Sequence, residues 1–124
     1  MLEQNKALFE RFVDEVFNKK NVAVLDELMG FTVDEHKEEI TAFLGAFPDL
    51  HVTVEDLIAE GDKIVGRVTL TGTHQAELMG IPATGKKVSF SEILIIRISN
   101  GKAVEQWEVA DTMSMMQQLG VIPS

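Results

Sequence analysis

Phe9, Phe12, Val13 and Val16 fall at i, i+3, i+4 and i+7, with Glu10, Arg11, Asp14 and Glu15 between them, a spacing that predicts an amphipathic helix over residues 3–18. Asn18 to Asn21 interrupt it. Asn21 is placed to cap a short second helix that carries Val22, Leu25, Leu28 and Met29 on one side and stops at Gly30. Thr32-Val-Asp-Glu35 has the form of a capping box, a hydroxyl and a carboxylate three residues apart, and Ile40, Phe43, Leu44 and Phe47 follow at helical spacing. A third helix is therefore expected to end at Pro48.

From Leu50 the period changes to two. Leu50, Val52 and Val54 alternate with His51, Thr53 and Glu55, and Glu60-Gly61-Asp62 supplies a turn into a β-rich run from Lys63 to Glu77. The segment Gly80-Ile-Pro-Ala-Thr-Gly85 is a connector, Val88 to Ile98 a second long strand, and Ser99-Asn100-Gly101-Lys102 a type I′ hairpin turn into a strand from Ala103 to about Ala110. Asp111 and Thr112 then cap a short helix with Met115, Met116 and Leu119 inward and Gly120 as its stop. Helices first and strands afterwards predict a single α+β domain over residues 1–124, in which helices cover one face of a curved antiparallel sheet. Such a sheet encloses a cone, and the mouth of the cone is the default ligand site.

Composition narrows the chemistry. The 124 residues are 45% hydrophobic and 25% charged, with 11 basic against 20 acidic side chains and a formal charge of −9, a balance that argues against nucleic acid and anionic membrane surfaces as partners. No cysteine is present and the three histidines are scattered, so neither a thiolate nucleophile nor a structural metal is expected. No glycine-rich phosphate loop occurs, and no cofactor is expected either. The charged N-terminal segment and the lack of a long apolar run predict a cytoplasmic protein.

Asn5 to Phe12 with Phe17-Asn-Lys19, Ala46-Phe-Pro-Asp-Leu50, Gly72-Thr-His74 with Gly80 to Gly85, and Asn100-Gly-Lys102 leading through Trp107 to Asp111 and Gln117-Gln-Leu-Gly120 form a set spread over nearly the whole chain. In these pieces the chain resembles the SnoaL-like polyketide cyclases, also called ester cyclases, of the nuclear transport factor 2-like superfamily. The resemblance implies a cone-shaped, cystatin-like α+β barrel, a homodimer, and a small hydrophobic carbonyl compound as ligand. It also implies cofactor-free acid/base chemistry of the intramolecular aldol type, since some members close the last ring of a polyketide in this way. A non-catalytic small-molecule-binding module of the same fold is the alternative. The segment Thr32 to Leu44 is shorter than in most members, with His36 as a remnant of the usual cavity rim. The Asp-Arg-Asp arrangement of the limonene epoxide hydrolases is not matched, because Gln75 and Glu77 stand where the arginine and its aspartate would be.

The resemblance places a catalytic acid/base at Asp111. With Trp107 packed inward, strand parity would turn Val109 and Asp111 into the cavity beside it, although Asp-Thr-Met-Ser is equally an ordinary helix cap. His74 shares the face of Val68, Leu70 and Gly72 and would act as a second catalytic group, polarising a carbonyl, or else as a structural histidine at a strand end. Glu92 interrupts an apolar strand with the parity of Phe90, Leu94 and Ile96: on the inner face it is a buried carboxylate, on the outer face an interface or solvent residue. Phe90, Glu92, Trp107, Val109 and, near the rim, Glu77 are the candidate substrate-binding residues. Val65, Ser89, Ser91, Ile93 and Ile95 would then form the outer face, suited to pairing with a second copy.

Overall fold

The computed structural model describes residues 2–30 and 33–123. Helix α1 spans Leu2–Arg11, a π-helical turn Phe12–Asn18 continues it, a 3₁₀ turn Val22–Val24 leads into α2 (Leu25–Leu28), and α3 spans Val33–Ala46. Strands β1 (His51–Glu60), β2 (Lys63–Thr73), β3 (Lys87–Ser99) and β4 (Lys102–Ala110) follow, and α4 (Thr112–Leu119) closes the order. The four strands form one antiparallel, curved meander in the order β1-β2-β3-β4.

The expected first helix opens partway along its length. Lys19 N–H bonds to Asp14 C=O and Asn21 N–H to Glu15 C=O, spacings of five and six residues that widen the turn. That widening sets Phe12 and Phe17 edge to face, with ring centroids 5.5 Å apart, so both rings turn inward although they lie five residues apart. Asn18 then pairs with the edge strand: its Oδ1 accepts the Val52 N–H at 2.7 Å and its Nδ2 donates to Val52 C=O at 3.0 Å. Asn21 precedes the second helical segment but makes no side-chain cap bond, a correction to the sequence reading. The expected capping box at Thr32 lies outside the described residues.

Helix α1 sits on β2 at a position where only glycine fits. A Cβ on Gly66 would fall inside the van der Waals envelope of the Phe9 ring, which is itself fully buried. At the other end of the same strand, Phe47 lies against Gly72. Asp49, in the turn between α3 and β1, accepts the Thr73 N–H and the Thr73 hydroxyl, both at 2.7 Å. Those two donors hold its carboxyl below the usual range. The core between helices and sheet is filled by Phe9, Phe12, Leu25, Phe47, Ile64, Val68 and Ile96 among others.

The β3–β4 hairpin carries the expected turn, with Asn100 and Gly101 both at positive φ (53° and 75°), as a type I′ turn requires. Three residues beyond the turn the register slips. Ile98 pairs with Ala103, but Arg97 pairs with Glu105, which leaves Val104 as an extra residue on β4. Every side chain beyond this bulge changes face.

Candidate functional site

That bulge decides which residues meet. An unbroken ladder from the turn would set Trp107 opposite Leu94, on the inner face. Instead Trp107 pairs with Ile95 and Val109 with Ile93, so both point to the outer face, where they are 46% and 77% exposed. The expectation that Trp107 and Val109 line the cavity is corrected accordingly. In their place Glu108, partnered with Leu94, and Ala110, partnered with Glu92, face inward.

A cavity of about 500 Å³ lies between this inner face and the helices. Its sheet wall is Leu70, Phe90, Glu92, Glu108 and Ala110, and its helical wall includes Phe17, Ile40, Phe43 and Met115. Leu78 and Met79, from the connector between β2 and β3, add to the lining. Phe43 stands edge to face with Phe90, centroids 6.4 Å apart, so aromatic surface meets across the space. Three carboxyl groups converge on these apolar walls: Glu39 from α3, Glu92 from β3 and Glu108 from β4.

Glu92 is the perturbed one. Its side chain is half-buried, and desolvation pushes its carboxyl from the ordinary 4.5 up to about 7, with the charge of Glu108 acting in the same direction. The carboxyl is thus able to give and take a proton at neutral pH. Of the residues expected from sequence, Phe90 and Glu92 meet here.

Asp111 stands next to Thr112, which lines the cavity, but its own side chain is exposed. Its Oδ1 accepts the Ser114 N–H at 3.1 Å and so caps α4, while its backbone N–H is tied to Ser91 C=O. His74 is fully buried yet does not line the cavity. The inner-face parity holds, but the strand has ended at Thr73, and the ring packs against Phe47 with centroids 5.6 Å apart. Its Nδ1 accepts the Thr84 N–H at 3.2 Å with the Thr84 hydroxyl at 3.0 Å, which leaves the proton of the neutral ring on Nε2; Nε2 has no partner among the described residues. With His74 N–H on Lys86 C=O and Gly85 N–H on His74 C=O, the residue clasps the two ends of the connector that delivers Leu78 and Met79. Glu77 is exposed on that connector and absent from the lining.

Sequence reasoning missed Glu108 and Glu39. The first is hidden by the bulge, and the second sits on a helix face that reads as solvated, beside Glu38 and Glu35.

Two other depressions are poorer sites. The groove between α1 and β1, about 720 Å³, is lined by charged groups that pair with one another, Arg11 with Glu15 and Lys19 with Asp14. The smaller one, about 420 Å³, holds Asp49 and Gln118, already bonded to Thr73 and to the Ser89 backbone. Neither has the largely apolar wall that a small-molecule site usually shows. Among the described residues no group of three or more histidine, aspartate or glutamate side chains is arranged to hold a metal ion, and no helix is long and apolar enough to cross a membrane.

Comparison with known proteins places this geometry in context. The profile of a family described as SnoaL-like polyketide cyclase matches residues 3–119. The chain is 31% identical over 72 residues to aklanonic acid methyl ester cyclase DnrD of Streptomyces peucetius, a match covering 58% of this chain and 50% of that protein. It is 35% identical over 60 residues to aklanonic acid methyl ester cyclase DauD of Streptomyces sp. strain C5, covering 48% and 37%. The matches thus span half or less of these curated relatives. Among solved structures, AclR from Streptomyces galilaeus, designated a candidate hydroxylase, superposes with TM-score 0.90 at 29% identity, covering 100% of this chain and 85% of that one. TsrD from Streptomyces laurentii superposes with TM-score 0.88 at 27% identity, covering 97% of each chain. A candidate SnoaL-like polyketide cyclase from Jannaschia sp. CCS1 shares the fold at 22% identity and TM-score 0.89, covering 98% of this chain and 94% of that one.

Proposed function

This chain belongs to the SnoaL-like polyketide cyclase family, and from that premise we propose that it closes a ring in a small hydrophobic carbonyl compound, with Glu92 moving the proton and no cofactor taking part. The observation that carries the reading is the half-buried Glu92 carboxyl on the wall of a mostly apolar cavity of about 500 Å³, where desolvation pushes it up to about 7. A cavity of that volume is within the usual range for a drug-sized molecule.

The step suits an intramolecular aldol. Glu92 as carboxylate takes a proton from a carbon activated by neighbouring carbonyls. The resulting enolate carbon bonds to a ketone carbon of the same molecule, and Glu92 returns the proton to the alkoxide so formed. Product and substrate are isomers, and the carboxyl ends as it began. A group whose pKa lies near the working pH is best placed for both transfers. Phe17, Phe43 and Phe90 supply flat apolar surface for a fused-ring substrate and keep water from the enolate. Asp111 keeps its part as the cap of α4 at the rim.

The test uses aklanonic acid methyl ester, the compound in the names of DnrD and DauD, as first substrate. Glu92→Gln should lower kcat by at least ~100-fold, the usual scale of general acid/base catalysis, with KM within a few fold. Asp111→Asn, which keeps a capping oxygen, should stay within about threefold of wild type. Full activity in Glu92→Gln together with its loss in Asp111→Asn would move the chemistry to Asp111. Binding without turnover by the wild-type protein, across a panel of such esters, would favour the non-catalytic binding module.

A further inference from the structure

We propose that Glu108, set diagonally beside Glu92 on the cavity wall, is a positioning residue that acts through Glu92: it strengthens Glu92 as a base and makes the cavity select uncharged carbonyl compounds over their carboxylates. The inference rests on the proposed role of Glu92 and adds what controls it.

Glu92 and Glu108 are diagonal neighbours across the β3–β4 ladder. Glu92 pairs with Ala110 and Leu94 with Glu108, so the two carboxyl-bearing residues share the inner face two positions apart, within reach of side chains of this length. Both line the same cavity. Glu108 is the more exposed of the two, and Gln106 on the same strand donates its Nε2 to Glu108 Oε2 at 3.2 Å, which fixes the carboxylate beside the site.

Among the described residues lining the cavity, no group offsets that charge. Among the described residues, α3 contributes one charged group to the lining, Glu39, also an acid, and β2 contributes Leu70. The π-helical turn brings Phe17, and the connector between β2 and β3 brings Leu78 and Met79. The first turn of α4, whose N–H groups would favour an anion, is already answered by Asp111 through Ser114 N–H. No lysine, arginine or histidine is among the described residues lining the cavity. Two carboxylates close together in so apolar a space cannot both ionise cheaply, so the more buried one gives up its proton less readily and, once ionised, is the stronger base. Burial and Glu108 both act on Glu92 in this sense.

An anionic ligand meets the same field. A carboxylate entering the cavity would face Glu39 and Glu108 with no cation to receive it, whereas a neutral ester meets only aromatic and aliphatic walls. Its binding should also hold Glu92 in the protonated form, so its affinity should fall as pH rises through 7, and that of the ester should not.

Carboxyl ¹³C NMR of Glu92 in the intact protein tests the first half, with Glu108→Gln and Glu108→Lys to remove and invert the charge and Glu108→Asp to keep it. The midpoint should stay near its wild-type value in Glu108→Asp, fall in Glu108→Gln, and fall further in Glu108→Lys. The second half uses 1-naphthoate and methyl 1-naphthoate as probes, titrated between pH 6 and 8. Wild type should bind the ester at least tenfold more tightly than the acid at pH 8, and Glu108→Gln should narrow that ratio severalfold by tightening the acid alone. An unchanged Glu92 midpoint across the series, or an ester-to-acid ratio that ignores residue 108, overturns the proposal. Neither readout needs turnover, so an inactive protein that titrates as described would count against the cyclase reading and leave Glu108 in its place.

Discussion

Glu92 carries a stability cost as well as a chemical use. Its folded-state pKa, about 7, lies above the ordinary 4.5, so between those values the native protein holds a proton that the unfolded chain has released. The sign follows from linkage. Stability falls as pH rises from about 4.5 to about 7, by an amount on the order of 3 kcal/mol for this one group, and is flat above that range as far as Glu92 decides it. Urea unfolding at pH 5 and pH 8 should therefore show the wild type weaker at pH 8, and Glu92→Gln should lose most of that difference. Equal pH dependence in the two proteins would mean that the carboxyl is well solvated. At this scale the sequence was readable where parity within one strand sufficed: Phe90, Glu92 and Leu94 share a face whichever way β4 is registered. His74 was readable to the correct face but not to its partners, because Thr84 reaches it through a connector whose path no periodicity encodes.

Among the elements, Gly66 joins α1 to the sheet. Gly66→Ala should cost about 1–3 kcal/mol in chemical unfolding, since the new methyl must displace the Phe9 ring from a packed core. Phe9→Leu in the same background should recover part of the loss, and full additivity of the two changes would show that the contact is not the cause. The helices and strands were legible because their apolar periods, 3.6 before Leu50 and two after it, are distinct, and because Asn100-Gly101 can hardly be other than a hairpin turn. The face of Trp107 was not legible. A bulge at Val104, a residue with no turn or glycine signature, moves the ladder by one position, and one position is enough to exchange Trp107 for Glu108 in the cavity. The π-helical turn was hidden for a related reason, since Phe12, Val13 and Val16 also fit an ordinary helix.

For the whole molecule, the same bulge leaves an apolar outer surface. Val65, Ile95 and Trp107 form one rung across β2, β3 and β4, and Arg67, Ile93 and Val109 the next, with Ile93 48% exposed. A sheet face of this kind is expected to pair with a second copy, giving a homodimer. Because Trp107 is the sole tryptophan, its emission reports the event: it should shift to the blue as concentration rises through the dimerisation range, and Trp107→Glu should give a monomer by light scattering. A wild-type monomer at tens of micromolar would remove the dimer. The account depends most on the state of a single proton on the inner face, and titration of the Glu92 carboxyl in the wild-type protein by ¹³C NMR observes it directly. A midpoint near 7 is the predicted result. A midpoint at the ordinary 4.5 would mean a solvated side chain with no more basicity than a free carboxylate, and would contradict it.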